Sequence, residues 1–220
     1  MEFENVREVE VTAVNGRVRI EGWENDHVEV NYTLHGDVEV EVEQVGKKLV
    51  VKERLIGKKL LGFIPKPSEG WAEIELRLPK GTAVNFRNVN GELEAREVAL
   101  RKASTVNGRI NLENCEAQEL STVNGRIRAH LSVAGPLKAS TVNGELEITI
   151  EELEGDVEAS CVNGNIVLRL TDFCDARIRA KSVNGDVRFI GIDPDDPVVG
   201  EGTFEVGVST VNDDVMIELI

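Results

Sequence analysis

Aromatic residues make up only 4% of this 220-residue chain, which leaves few rings for stacking on sugars: Trp23, Trp71 and Tyr32 are the polar-edged ones. Cysteine is as sparse. Cys115, Cys161 and Cys174 are odd in number and lack paired spacing, so neither a disulfide framework nor a zinc site is indicated, and buried or semi-buried thiols are expected. The three histidines, His27, His35 and His130, are too scattered for a ligand cluster. No glycine loop of the phosphate-cradling kind and no nucleophile elbow is present. No cofactor is implied, and the reading is of a protein that is not an enzyme. Basic residues are outnumbered, 25 against 40 acidic, and the net charge of -15 argues against a nucleic-acid partner, whose phosphates attract the opposite sign. No apolar run has the length that spans a bilayer. The acidic start, MEFENVREVEV, has no basic or apolar leader region, which places the chain in the cytoplasm, or at the cell surface if a leader is missing from this sequence. Glutamine occurs twice while Glu, Lys, Arg and Val abound, a lean toward a thermophile's composition.

What is present is a repeat. Val-Asn-Gly begins at Val14, Val89, Val106, Val123, Val142, Val162 and Val183, and recurs as Val-Asn-Asp at Val211. From Asn90 the asparagines are spaced 17, 17, 19, 20, 21 and 28 residues apart, the drifting period of an architecture with one supersecondary unit per repeat. Three residues past each asparagine stand Val18, Leu93, Ile110, Ile127, Leu146, Ile166, Val187 and Val215, with apolar residues again at five past and polar ones at two past. Upstream, Thr105, Thr122, Thr141, Cys161, Ser182 and Thr210 fall on the inward parity, and Ser104, Ser121 and Ser140 on the outward one. This is period-two patterning around a corner: strand, Asn-Gly, strand, then a variable return.

A repeat of about 20 residues at about 3.3 Å per residue can close one turn of a coil. The expected fold is therefore all-β, a single-stranded β-solenoid with stacked Val-Asn-Gly corners. An antiparallel β-meander or sandwich of Asn-Gly hairpins is the alternative. Stacked turns would align Asn90, Asn107, Asn124, Asn143, Asn163, Asn184 and Asn212 as a structural ladder, with glycine at the corner because a sharp bend commonly needs positive φ. Parity leaves the valine before each asparagine either as an exposed stripe or turned inward by an early corner. One domain is expected over 1–220, with irregular strands over 1–83 continuing the same sheets and regular repeats over 84–220.

Two interruptions stand out. Residues 54–70, RLIGKKLLGFIPKPSEG, interleave Leu55, Ile56, Leu60, Leu61, Phe63 and Ile64 with lysines, either as a flap packed on the solenoid or as a contact patch for a partner or an anionic membrane. Within the longest interval, Asp193, Asp195 and Asp196 form a calcium candidate, against a plain outward loop set by Pro194 and Pro197. Outward columns mix charge, with Glu92 beside Arg109, Arg126 beside Glu145 and Arg128 beside Glu147, as cross-strand pairing favours.

Runs such as STVNGRINL, STVNGRIRA, STVNGELEI and SCVNGNIVL, preceded by ELRLPKGTAVNFRNVNGELEA, resemble the bacterial and archaeal putative-adhesin domain family of unknown function. The resemblance is clearest from Trp71 to Ile220. It implies a β-solenoid and supplies no catalytic residues. The functional expectation is a non-catalytic scaffold or interaction module, with a protein partner or self-association as a homo-oligomer. Carbohydrate binding or processing on the outer face is a second expectation, and peripheral membrane association through 55–64 a third.

Overall fold

Alternating polarity forms strands here because an extended chain turns successive side chains to opposite faces, and only one face can be buried. The computed structural model describes residues 1–56 and 70–220. It opens with β1 (Glu2–Glu4), β2 (Glu8–Thr12), β3 (Arg17–Trp23), β4 (His27–Gly36), β5 (Val38–Val45) and β6 (Lys48–Leu55). Then come β7 (Gly70–Pro79), β8 (Ala83–Arg87), β9 (Asn90–Arg96), the long β10 (Ala99–Asn124), β11 (Ile127–Asn143), β12 (Leu146–Leu153) and β13 (Val157–Asn163). The chain ends with β14 (Ile166–Leu170), β15 (Ala176–Asn184), β16 (Val187–Ile190), β17 (Val198–Val199), β18 (Phe204–Asn212) and β19 (Val215–Leu219).

These strands build two walls joined at the Asn-Gly corner, and each turn of the coil, or rung, adds one strand to each wall. Strands before the corner form the first wall: β6, β2, β8, β10, β11, β13, β18 and β15. Strands after it form the second: β7, β3, β9, β10, β11, β12, β14, β19 and β16. All of these pairings are parallel and place like on like, as in Ile110↔Ile127, Leu146↔Ile166 and Ala139↔Ala159. Stacked hairpins would make the neighbours antiparallel, so the repeats form the solenoid rather than the meander.

Antiparallel pairs occur at the two ends. At the first end β4 and β5 run backward as a reversed rung against β7 and β6, with β1 added outside β4. The N-terminal strands thus continue the same walls and then reverse to cap them. At the other end, β17 lies antiparallel on the outer edge of β15. Among the described residues, one continuous cluster of buried side chains, aliphatic but for Phe86 and the three cysteines, runs from Val6 to Ile217.

The C-terminal rungs do not stack in chain order. The rung of Asn212 is inserted between those of Asn163 and Asn184: β18 pairs with both β13 and β15, and β19 with both β14 and β16. Burial supplies the physical reason. Val206, Val208, Val215 and Ile217 are buried aliphatics suited to an interior rung, whereas the outermost rung carries half-buried Ala180, Ser182, Val187 and Phe189. The 28-residue interval lets the chain cross the end and return, and Ile192 and Val199 from that crossing close the core. The final strand, β19, is therefore internal, flanked by β14 and β16.

Candidate functional site

The corner is the most regular surface of the molecule. Each asparagine side chain donates through Nδ2 to the Oδ1 of the next rung: Asn90 to Asn15 at 3.0 Å, Asn107 to Asn90 at 2.9 Å, Asn124 to Asn107 at 2.9 Å and Asn143 to Asn124 at 2.8 Å. Beyond these, Asn163 donates to Asn143 at 2.7 Å, Asn212 to Asn163 at 2.7 Å and Asn184 to Asn212 at 2.9 Å. An amide offers two N–H donors and two acceptor sites, so each interior asparagine keeps one of each for solvent or a ligand.

Glycine is required beside the asparagine by close approach more than by φ. A Cβ on Gly108 would lie 1.8 Å from the Gly91 carbonyl oxygen, and one on Gly125 would lie 1.7 Å from that of Gly108, although neither residue has a positive φ. The expected positive φ does hold at Gly91, Gly144 and Gly164. Beneath the corner, Thr105, Thr122, Thr141, Cys161 and Thr210 are buried. All three cysteines are buried, and burial pushes each thiol above its ordinary range.

The valines before the asparagines face outward. Val89, Val106, Val123, Val142, Val162 and Val211 are 39–43% exposed, and Val183 on the outermost rung is 71% exposed. On the same face, two residues earlier, stand half-buried Ser104, Ser121, Ser140, Ser160 and Ser209.

At the first end, Glu53 takes over the corner. Its buried carboxylate accepts hydrogen bonds from the backbone N–H groups of Val14 at 2.6 Å, Asn15 at 3.0 Å and Ala72 at 2.9 Å. Alternation alone gives no sign of this role; the signal is a Glu in KKLVVKE that falls on the inward parity with Leu49 and Val51. Asn15 Nδ2 donates onward to the Gly70 carbonyl at 3.2 Å, which anchors the start of β7 beside the asparagine column.

There the corner opens into a groove of about 390 Å³. Gly16, Gly91 and Gly108 floor it, Asn15 and Asn107 form one side, and Arg17, Glu92 and Arg109 the other. Trp71 closes one end, 40% exposed, with its ring stacked on that of His35 at 4.1 Å and 14° between planes. Glu92 is drawn toward Arg17 at 3.7 Å and accepts from Asn111 Nδ2 at 3.0 Å rather than pairing with Arg109, which has no ion-pair partner among the described residues. Further along, Arg126 pairs with Glu145, and Arg128 with Glu147 at 2.8 Å. Glu147 also receives Arg169 at 2.9 Å, and the hydrogen bond from Arg169 is the main reason its carboxyl titrates below the usual range.

Asp193, Asp195 and Asp196 do not converge. Asp193 accepts from the Asp195 backbone N–H at 3.0 Å, Asp196 faces Arg177 at 3.5 Å, and among the described residues no group of three or more His, Cys, Asp or Glu is placed to hold a metal ion. In the 55–64 patch, Leu55 is half-buried and Ile56 is 45% exposed, while Leu60, Leu61, Phe63 and Ile64 lie outside the described residues. The flanking strands β6 and β7 stack on β2 and β3.

No family model matches the chain, and no curated protein matches it. Among solved structures it is similar to a putative adhesin from Bacteroides fragilis, at 13% identity over 100% of this chain and 95% of that one, with a TM-score of 0.51. It also aligns with a putative cell adhesion protein from Clostridium sporogenes, at 13% identity over 99% of this chain and 94% of that one, with a TM-score of 0.40. At such identity the first likeness speaks for the fold.

Proposed function

We propose that this chain is a non-catalytic, adhesin-like interaction module that presents its repeated corner to a partner at a cell surface. The observation that carries the reading is the valine stripe, six side chains 39–43% exposed on a wall whose inner face is already fully packed. Over the five rungs from Val106 to Val211, the serines and asparagines beside the stripe make it an uncharged strip in a chain whose residues are 30% charged, with Arg87 taking the serine place beside Val89. Uncharged surface is cheaper to desolvate than charged surface, and its stiff β scaffold leaves little to order on contact. The Bacteroides protein's fold agrees with this reading.

The strip is narrow. Six rungs at about 4.8 Å make it roughly 25 Å long, and at about 10 Å wide it covers about 250 Å², well short of the ~800 Å² per partner that stable protein pairs bury. A single contact would be weak, and a multivalent surface target fits it better than a tight dimer. Self-association through the ends is a second form of the same reading, since β5 at one end and β16 at the other each pair on one side among the described strands.

Biolayer interferometry on immobilised bacterial envelope preparations tests the reading, with the wild type compared against the triple variant Val106→Thr, Val123→Thr, Val142→Thr. These near-isosteric changes at outward positions keep the strands. Wild-type binding with a several-fold loss in the variant is expected. Equal binding by both, or none by the wild type, would sink the proposal.

A further inference from the structure

We propose that the corner groove headed by Trp71 is a binding site for a neutral saccharide. The reading is independent of the valine stripe, which lies on the other side of the asparagine column. Three observations converge on it. The first is a flat aromatic platform: Trp71 is exposed, and its stacking on His35 fixes the ring before any ligand arrives. A pyranose ring has an apolar C–H face and a rim of hydroxyls, so it seats its face on an indole and turns its rim toward polar neighbours. Prior fixing of the ring removes part of the ordering cost of binding.

The second is what surrounds the platform. Arg109 brings guanidinium donors that no carboxylate among the described residues engages, Asn107 keeps a spare N–H and a spare acceptor site, and Glu92 supplies acceptors. Donors and acceptors in one groove match hydroxyl groups, each of which both gives and takes a hydrogen bond. The third is the floor. Gly16, Gly91 and Gly108 carry no side chain, so a ligand can lie close to the backbone. The same column continues through half-buried Gly125 and Gly144, whose backbone is the surface that further sugar units would meet beside the asparagines.

Charge selects the neutral class. A chain of net charge -15 with Glu92 in the groove disfavours a uronate or sulfated sugar, and one unpaired arginine does not offset that field.

Tryptophan fluorescence provides the test, because the chain has two tryptophans and Trp23 is engaged through its indole N–H with the His27 carbonyl at 2.9 Å. The Trp23→Phe variant isolates the Trp71 signal. The probes are linear hexasaccharides of glucose, xylose and mannose, with an oligogalacturonide as the anionic arm. At least one neutral hexasaccharide is expected to shift the Trp71 emission and to bind more tightly than its disaccharide. Trp71→Ala and Arg109→Ala, each checked for an unchanged circular dichroism spectrum, are expected to weaken binding about tenfold, with Trp71→Phe between them and the wild type. Should Trp71→Ala not fold, Trp71→Phe and Arg109→Ala carry the comparison. The assignment is overturned if no neutral probe binds at millimolar concentration, if the variants bind like the wild type, or if the oligogalacturonide binds more tightly than every neutral sugar.

Discussion

Gly125 and Gly46 hold their glycines for different reasons, and the difference is measurable. At Gly125 the added methyl of an alanine would meet the Gly108 carbonyl oxygen at 1.7 Å, so two rungs must separate. At Gly46, with φ of 61°, the same methyl meets nothing within 4 Å, and only backbone strain opposes it. Gly125→Ala is expected to lower stability by about 3 kcal/mol or more, and Gly46→Ala by about 1 kcal/mol, as read by urea unfolding. Glu53 is the other single-residue keystone. Its two carboxylate oxygens serve three backbone donors, and an amide replaces one of those oxygens with a donor facing other donors. Glu53→Gln should therefore cost about 2–4 kcal/mol and loosen the first rungs in preference to the rest, which hydrogen exchange on β2, β3 and β7 would localise. The sequence carried only a trace of either role: Glu53 falls on the inward parity, and the corner glycines were expected for φ rather than for close approach. Both arise from how one rung approaches the next, and a single strand's alternation carries no information about that distance.

At the scale of the element, the asparagine column behaves as a chain of bonds with ends. Asn143 sits in its interior with bonds of 2.8 Å and 2.7 Å, whereas Asn184 terminates it with one bond of 2.9 Å. Asn143→Ala is expected to cost about 1–2 kcal/mol and Asn184→Ala about half that, measured by urea unfolding on matched samples. The turn that closes the C-terminal end has a different sensitivity. Asp175 accepts from the Thr203 hydroxyl at 2.7 Å and from the backbone N–H groups of Glu201 at 2.5 Å and Gly202 at 2.9 Å; these bonds, the hydroxyl first, hold its carboxyl below the ordinary aspartate range. Glu147 is held low by Arg169, and Glu10 by Lys48. A carboxyl whose folded pKa is depressed stabilises the fold above its unfolded value, and that contribution disappears as pH falls through the folded value. Stability should thus decline on acidification below about pH 4, and Asp175→Asn should flatten that decline by thermal melts taken across the range. The strands themselves were open to reading in advance: the apolar residues three and five past each asparagine point inward wherever the repeat is regular. The groove was not, because Trp71 reaches the corner only through the stacking of β7 on β3, a pairing that joins residues 56 apart in sequence, as in Arg17↔Glu73.

For the whole molecule, the order of rungs matters more than their number. In a solenoid that stacks in chain order, deleting the last rung shortens the rod and exposes the one before it, since each repeat touches only its neighbours. Here the last stretch of chain, β18 and β19, lies between the rung of Asn163 and that of Asn184. Removing residues 204–220 would take out buried Val206, Val208, Val215 and Ile217 and leave β15 and β16 without the strands to which they pair in parallel. The crossing that places Ile192 and Val199 against the core would lose its anchor as well. Such a truncation is therefore expected to unfold everything beyond Leu170 while the rungs from Asn15 to Asn163 persist. Limited proteolysis would show this as cleavage between Thr171 and Thr203 in the truncated chain and not in the full one. Protection of that segment after truncation would mean that β15 and β16 can dock on β13 and β14 directly, and that the inserted order is one of two nearly equivalent stackings. The register makes the second outcome unfavourable. Phe189, now half-buried over Ile217, would have to settle over Leu168, and half-buried Ala180, Ser182 and Val187 would replace the buried Val208, Thr210 and Val215 with less apolar contact.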